Sequence, residues 1–338
     1  MPDTESKVRF LQTALAPGVG GEPVHRLETH MSWLLLGGEQ VLKLKKPVRY
    51  PFLDFSTVQA REHDAREEVR LNRRLAPRVY LGLRALQWNE GTLSLVPEEC
   101  LPVPGETVDW VVAMQRLPAQ RMLDQVIARG MLESHDLDAL LEVLVSFYRR
   151  AAPCEISESD HLARLHDELA VDRAVLTLPR FDLLQAHTQL DRMARALAAH
   201  DGLLRQRVRE HRIVEGHGDL RPEHVCLIDP PVVIDALEFN ARLREVDPFD
   251  ELCFLGLECA MAGDATVAAR LLQRCADALG DHPQAQLLHL YTARRALLRA
   301  RLSAAHLLDE GVRTPDKWLP QATRYLAFAG TALDELDT

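Results

Sequence analysis

The hydrophobic periodicity of this chain changes once, near Pro118, and that change sets what the chain can fold into. Before it, short apolar runs alternate with Gly, Pro and charged turns, at strand spacing. Val24–Glu28 reads as one strand and Trp33–Leu36 begins another. The turn Gly37-Gly38-Glu39 leads into Val41-Leu42-Lys43-Leu44-Lys45. That run alternates, so Leu42 and Leu44 share one face while Val41, Lys43 and Lys45 share the other. Pro47 and Pro51 interrupt the pattern, and Ser56 or Thr57 can cap a helix running to about Leu75. Its apolar positions are Val58, Ala65, Val69, Leu71 and Leu75. Val79–Leu83, Leu86–Trp88, Leu93–Val96 and Trp110–Met114 then read as short strands. The first 118 residues are therefore expected to be mostly β with one long helix.

After Pro118, residues 121–212 and the stretch from Asp250 onward carry helical spacing. A small β-like patch, Val225–Ile228 with Val232–Asp235, lies between them. The expectation is an α+β, bilobal chain: a β-rich lobe over 1–118, then a mainly helical lobe over 119–338 that carries a small β insert. A length of 338 residues accommodates two packed lobes, and 47% hydrophobic content is enough to give each a core.

The sharpest local feature is His217-Gly218-Asp219-Leu220-Arg221-Pro222-Glu223-His224, followed by a strand ending in Ile234-Asp235. Two carboxylates thus flank a short hairpin, and Gly218 permits a backbone turn that larger residues resist. Such a pair suits phosphoryl transfer, one Asp accepting the proton of an attacking hydroxyl and the other holding Mg²⁺ on phosphates. The alternative for both is a surface-turn Asp bonded to its own backbone.

His217-Gly218-Asp219 with the later Ile234-Asp235 resembles the aminoglycoside phosphotransferase family of the protein-kinase-like superfamily, and most closely its uncharacterised bacterial branch. The resemblance implies a protein-kinase-like fold, with ATP bound between the lobes. It implies Asp219 as catalytic base and Asp235 as Mg²⁺ ligand. Lys43 resembles the strand lysine that holds the α- and β-phosphates, with Lys45 as its rival. Glu68 resembles its helix partner, with Glu67 and Glu62 as rivals. Trp110–Leu117, including Met114 and Arg116, would join the lobes and read adenine through its backbone. Asp247-Pro248-Phe249-Asp250-Glu251-Leu252 looks like the family's G-D-P-x-x-D-L-A element, one residue shorter, and would brace the catalytic loop.

Two positions depart from the family pattern. His224 stands where the family has a metal-binding Asn, and imidazole nitrogen favours softer ions such as Mn²⁺ or Zn²⁺. Thr29-His30-Met31-Ser32 occupies the phosphate-covering turn in place of a glycine-rich loop, with Thr29 and Ser32 offering hydroxyls and N–H groups.

Other chemistries find less support. A net charge of −10 disfavours nucleic acid as a partner, because phosphate backbones demand a basic face. No apolar run approaches membrane-spanning length, and MPDTESKVRF lacks the apolar region of a signal peptide. Six scattered cysteines without a CxxC pair read as free thiols of a reducing cytoplasm. The P-loop signature, H-E-x-x-H and G-x-S-x-G are all absent. The expected function is ATP- and Mg²⁺-dependent transfer (Mn²⁺ being a substitute) to a hydroxyl of a small molecule, such as a sugar or aminoglycoside-like acceptor, with a non-catalytic nucleotide-binding scaffold or a protein kinase as the alternatives.

Overall fold

The computed structural model describes residues 2–16, 23–50, 53–308 and 314–336. Pro51 lies outside them. The chain divides into two compact units, residues 1–126 with 223–243, and residues 127–222 with 244–338.

The first unit is built on a six-stranded antiparallel sheet. Its strands are β1 (His25–Glu28), β2 (Ser32–Gly37), β3 (Gln40–Lys45), β4 (Tyr80–Asn89), β5 (Thr92–Pro97) and β6 (Glu106–Gln115), in the spatial order β1-β2-β3-β6-β4-β5. The alternation of β3 sorts its side chains as its sequence suggests. Leu42 and Leu44 bury with Leu35, Leu86 and Val111 against Val8 and Leu11 of helix α1 (Thr4–Leu15). Val41, on the opposite face, packs with Val112, Met114 and Tyr80 against Ala65 and Val69 of helix α2 (Val58–Asn72). Each fully buried aliphatic side chain contributes about 1.5–3 kcal/mol, so both faces of the sheet are strongly covered.

Helix α1 departs from the expectation of a single N-terminal helix. Asp3 caps it, its carboxylate accepting from the Ser6 N–H at 2.8 Å. Its buried residues are Lys7, Val8 and Leu11, and Phe10 and Leu15 pack partly buried against the same core. Lys7 reaches through to donate to Asp109, which also receives Arg61 of α2, both at 2.8 Å. Val79–Leu83 and Leu86–Trp88, read as two short strands, form the single strand β4, with register shifts at Tyr80/Gly82 and Leu86/Gln87. Those irregularities break strict alternation, which is why the run looks like two strands.

Residues 223–243 return to this first unit. The short ladder Val225–Cys226 with Val232–Val233 inserts Cys226 and Val232 into the core beside Ala76 and Val79, and the Val233 N–H donates to the Leu75 carbonyl.

The second unit is helical: α3 (Ser134–Arg150), α4 (Glu158–Leu176), α5 (Ala186–Ala199), α6 (Asp201–Arg209), α7 (Pro248–Ala262), α8 (Thr266–Leu279), α9 (Ala285–Ala305) and α10 (Pro315–Asp334). Helix α7 is buried continuously from Pro248 to Cys259 and packs against α8 and α9. Asp247 caps its N-terminus with a bond from the Phe249 N–H at 2.9 Å. A two-residue ladder, Val214–Glu215 with Glu245–Val246, sets the start of the His217–Asp219 loop.

Candidate active site

In the first unit a cavity of about 380 Å³ opens beside β3. Its walls are mostly apolar, with Leu34, Leu36, Val41, Val79, Met114, Leu117 and Ile234 among the lining residues. At its polar end stand Lys43, Glu68, His224, Asp235 and Glu238. An apolar cavity that ends in charged groups suits a ligand with an apolar body and a charged end.

Lys43 projects from the α2-facing side of β3. Its ammonium donates to Glu68 Oε1 at 2.7 Å and to Asp235 Oδ1 at 3.4 Å. Of the three candidate glutamates on α2, Glu67 pairs with Arg70 and Glu62 with Arg66, and Glu68 meets the lysine. Burial alone would lower the Lys43 pKa, but the Glu68, Asp235 and Glu238 carboxylates outweigh it and hold the ammonium well above its usual range. Lys43 is thus a fixed cation at the cavity wall.

Asp235 is held in a left-handed backbone conformation, φ +64°. Asp tolerates that region better than most residues, and two bonds support it. The Asp235 N–H donates to the Tyr80 hydroxyl at 3.2 Å, and the Ala236 N–H donates to Asn72 Oδ1 at 2.9 Å. The carboxylate is about half exposed, and His224 Nε2 lies 3.7 Å from its Oδ2. Among the described residues no group of three or more His, Cys, Asp or Glu could hold a metal. A cation held by Asp235 and His224 would need its remaining ligands from elsewhere, such as phosphate and water. Asp235 is a hard donor suited to Mg²⁺, and His224 stands beside it as the nitrogen donor.

Thr29 and Ser32 both reach the cavity, yet they also bond each other. The Ser32 N–H donates to Thr29 Oγ1 at 2.9 Å, and that hydroxyl donates back to the Ser32 carbonyl at 3.1 Å. The turn is locked by its own side chain. Met114 lines the cavity from the end of β6. Arg116 does not line it: its N–H donates to the Glu39 carbonyl at 2.7 Å, and its guanidinium lies 3.5 Å from the Gly38 carbonyl.

Lys45, two residues along β3, is not a cavity residue. Its ammonium is buried among Glu238 Oε1 at 2.6 Å, Glu68 Oε2 at 2.8 Å and Asp64 Oδ2 at 2.5 Å. Asp64 and Glu238 went unassigned in the sequence, but a signal existed. Arg61, Asp64, Glu68 and Asn72 recur at helical spacing along α2, and all four are buried. A polar stripe on the inward face of a helix demands partners, and here each has one.

Asp219 belongs to the second unit. Its carboxylate lies 2.9 Å from Arg221 Nε, and its N–H donates to His217 Nδ1 at 3.3 Å. Gly218 adopts φ +89°, which places a turn where a side chain would be strained. Glu251 of α7 holds this loop. It accepts from the His217 N–H at 2.9 Å, from the Gly218 N–H and from the Tyr148 hydroxyl at 2.9 Å. Burial pushes the Glu251 carboxyl up, and the two backbone N–H bonds work against that. Gly216 leaves the carboxylate its room, since a Cβ there would sit 2.6 Å from Glu251 Oε2. The Asp247–Leu252 element thus contacts the His217–Asp219 loop through Glu251.

No family model matches the chain. It is 30% identical over 317 residues, 90% of its length, to an uncharacterised protein of Mycobacterium tuberculosis and to its counterpart in Mycobacterium bovis. It spans 60% of the length of these curated relatives. Among solved structures, it resembles a choline/ethanolamine kinase family protein from Mesorhizobium loti (TM-score 0.54, 16% identity, 98% and 96% of the two chains covered). A choline kinase from Cryptosporidium parvum gives a TM-score of 0.54 at 9% identity, covering 98% and 97%. The GDP complex of aminoglycoside 2′-phosphotransferase-IIIa gives 0.51 at 12% identity, covering 99% of each chain. The chain is built on the protein-kinase-like fold that aminoglycoside phosphotransferases and choline/ethanolamine kinases share.

Proposed function

We propose that the protein is an ATP-dependent phosphotransferase that moves the γ-phosphate onto a hydroxyl of a small molecule, a sugar or aminoglycoside-like compound being the leading class, and that it works in the cytoplasm. The observation that carries this reading is the Lys43 ammonium, 2.7 Å from Glu68 and 3.4 Å from Asp235, at the polar end of an apolar cavity. The apolar walls would take the base, and the Thr29–Ser32 turn would cover the phosphates. Lys43 would donate to the α- and β-phosphate oxygens while Glu68 holds its side chain in place. Asp235 and His224 would hold Mg²⁺, which when bound neutralises phosphate charge. Asp219 would accept the proton of the acceptor hydroxyl as its oxygen bonds to the γ-phosphorus and the bond to the β–γ bridging oxygen breaks, releasing ADP.

Charge explains why the nucleotide should arrive with a cation. Even with Asp64 left uncounted, Glu68, Asp235 and Glu238 set three carboxylates against two ammonium groups. A bare triphosphate meets net repulsion there. The test is phosphate transfer from ATP to a panel of hydroxyl and amine acceptors, with Asp219→Asn as control. Transfer by wild type that the variant loses supports the reading. Nucleotide binding by both with transfer by neither would favour a nucleotide-binding scaffold.

A further inference from the structure

Two lysines stand on one face of β3, and the second is spent in a way the phosphotransferase reading does not require. The Lys45 side chain is 1% exposed, and three carboxylate oxygens surround its ammonium within 2.8 Å. The Phe55 ring covers it at 5.3 Å. The ammonium donates to Glu68 Oε2 and Glu238 Oε1 and pairs with Asp64 Oδ2 at 2.5 Å, so this buried cation is committed to carboxylates rather than to a phosphate. Its partners come from two elements besides its own strand: Asp64 and Glu68 from α2, and Glu238 from the segment just after Asp235. Glu68 is the shared member, giving Oε2 to Lys45 and Oε1 to Lys43.

We propose that Lys45 is a positioning residue: it clamps the Glu68 carboxylate and the Glu238 segment, so that Lys43 and Asp235 are held at phosphate-binding geometry. This inference rests on the nucleotide-binding reading above. Without Lys45, the Glu68 carboxylate could rotate about its last bonds, and Lys43 would lose its fixed anchor. The separation of roles follows from burial, because Lys43 lines the cavity and Lys45 does not. The charge balance agrees. Burial pushes the Asp64 carboxyl up to about 7, against the pull of Lys45, with Glu238 and Glu68 as its anionic neighbours. Asp64 can thus give up its charge and leave the ammonium to Glu68 and Glu238.

The test is a double-mutant cycle on Mg·ATP affinity, read by calorimetry. Wild type is measured first: no binding there overturns the parent reading rather than this one. Lys43→Met is expected to weaken binding at least tenfold. Lys45→Met combined with Asp64→Asn and Glu238→Gln removes the clamp, and beside Lys43 it leaves Glu68 its remaining cation. It should weaken binding at least fivefold beside Lys43, and by less than twofold in the Lys43→Met background. A purely structural Lys45 would give equal losses in both backgrounds, and that additivity overturns the proposal. Should the neutralised variant fail to fold, Lys45→Arg keeps the charge. Its planar fork cannot meet three carboxylates converging from different directions. It should cost at least threefold beside Lys43 and nothing in the Lys43→Met background. An unchanged affinity beside Lys43, or an equal loss in both backgrounds, overturns the proposal.

Discussion

Asp219 and Lys43 are given separable tasks, one on the acceptor and one on the nucleotide, so their variants should fail differently. Asp219→Asn is expected to lower phosphate transfer by about 10²–10⁴-fold, the usual worth of a general base, while Mg·ATP affinity stays within about twofold. Steady-state kinetics alongside calorimetry would read both, and loss of affinity together with transfer would count against the assignment. His224 makes a third case. Its Nε2 lies 3.7 Å from Asp235 Oδ2, and the metal role proposed for it is open to test. His224→Asn should keep Mg²⁺-supported turnover and reduce turnover supported by Mn²⁺ relative to it. A folded, inactive variant would show that the imidazole has a task of its own. At this scale the sequence was informative wherever a residue type is chemically distinctive. The His217-Gly218-Asp219 loop, Asp235 and the β3 lysines could be picked out directly. The choice between Lys43 and Lys45 could not, because both point to the same face of a strand. Only the positions of Asp64 and Glu238 separate them.

At the scale of elements, the loop before Asp219 depends on helix α7. Glu251 is fully buried and serves the N–H groups of His217 and Gly218 and the Tyr148 hydroxyl. Glu251→Gln replaces one acceptor oxygen by a donor facing donors, leaving at least one N–H unpaired. It should cost about 1–3 kcal/mol of stability, measured by denaturant unfolding. An unchanged midpoint would mean the loop finds other acceptors. The strands of the sheet were legible because Val41–Lys45 alternates, Trp33–Leu36 is a short apolar run, and Gly37-Gly38 marks their turn. Helix α2 was legible from its Thr57 cap, whose hydroxyl accepts from the Ala60 N–H at 3.1 Å. Helix α1 was passed over although Val8, Leu11 and Leu15 recur at helical spacing, because the stretch was weighed only for the apolar run of a signal peptide. The rest of the inward face of α2 was less legible. Its buried positions are largely polar, and a search for apolar stripes passes over them.

Across the whole molecule, buried ionisable groups give the stability a pH dependence with two opposing parts. His161 is buried, neither ring nitrogen has a hydrogen-bond partner among the described residues, and burial with nearby Arg294 and Arg164 pulls its pKa down to about 4. The unfolded chain takes up a proton below about 6.5 that the folded protein refuses until about 4. This contribution is therefore lost as pH falls through that window, by up to about 3 kcal/mol. Asp64 behaves oppositely. With its pKa raised to about 7, the folded protein keeps a proton that the unfolded chain releases above about 4, so this contribution is present in acid and lost as pH rises toward 7. Compared with wild type, His161→Leu should gain stability most at pH 4.5, and Asp64→Asn should gain most at pH 8. Thermal unfolding across that range checks both, and a difference independent of pH would contradict the assignment.

The central claim is that a metal-bound nucleoside triphosphate occupies the cavity against Lys43 and Asp235. Calorimetric titration of ATP into the wild-type protein, with Mg²⁺ and then with EDTA, tests it most directly, with Asp235→Ala alongside. The account predicts saturable binding that needs the divalent ion and weakens at least tenfold in the folded variant. Binding that is indifferent to both Mg²⁺ and Asp235, or no binding at all, would contradict it.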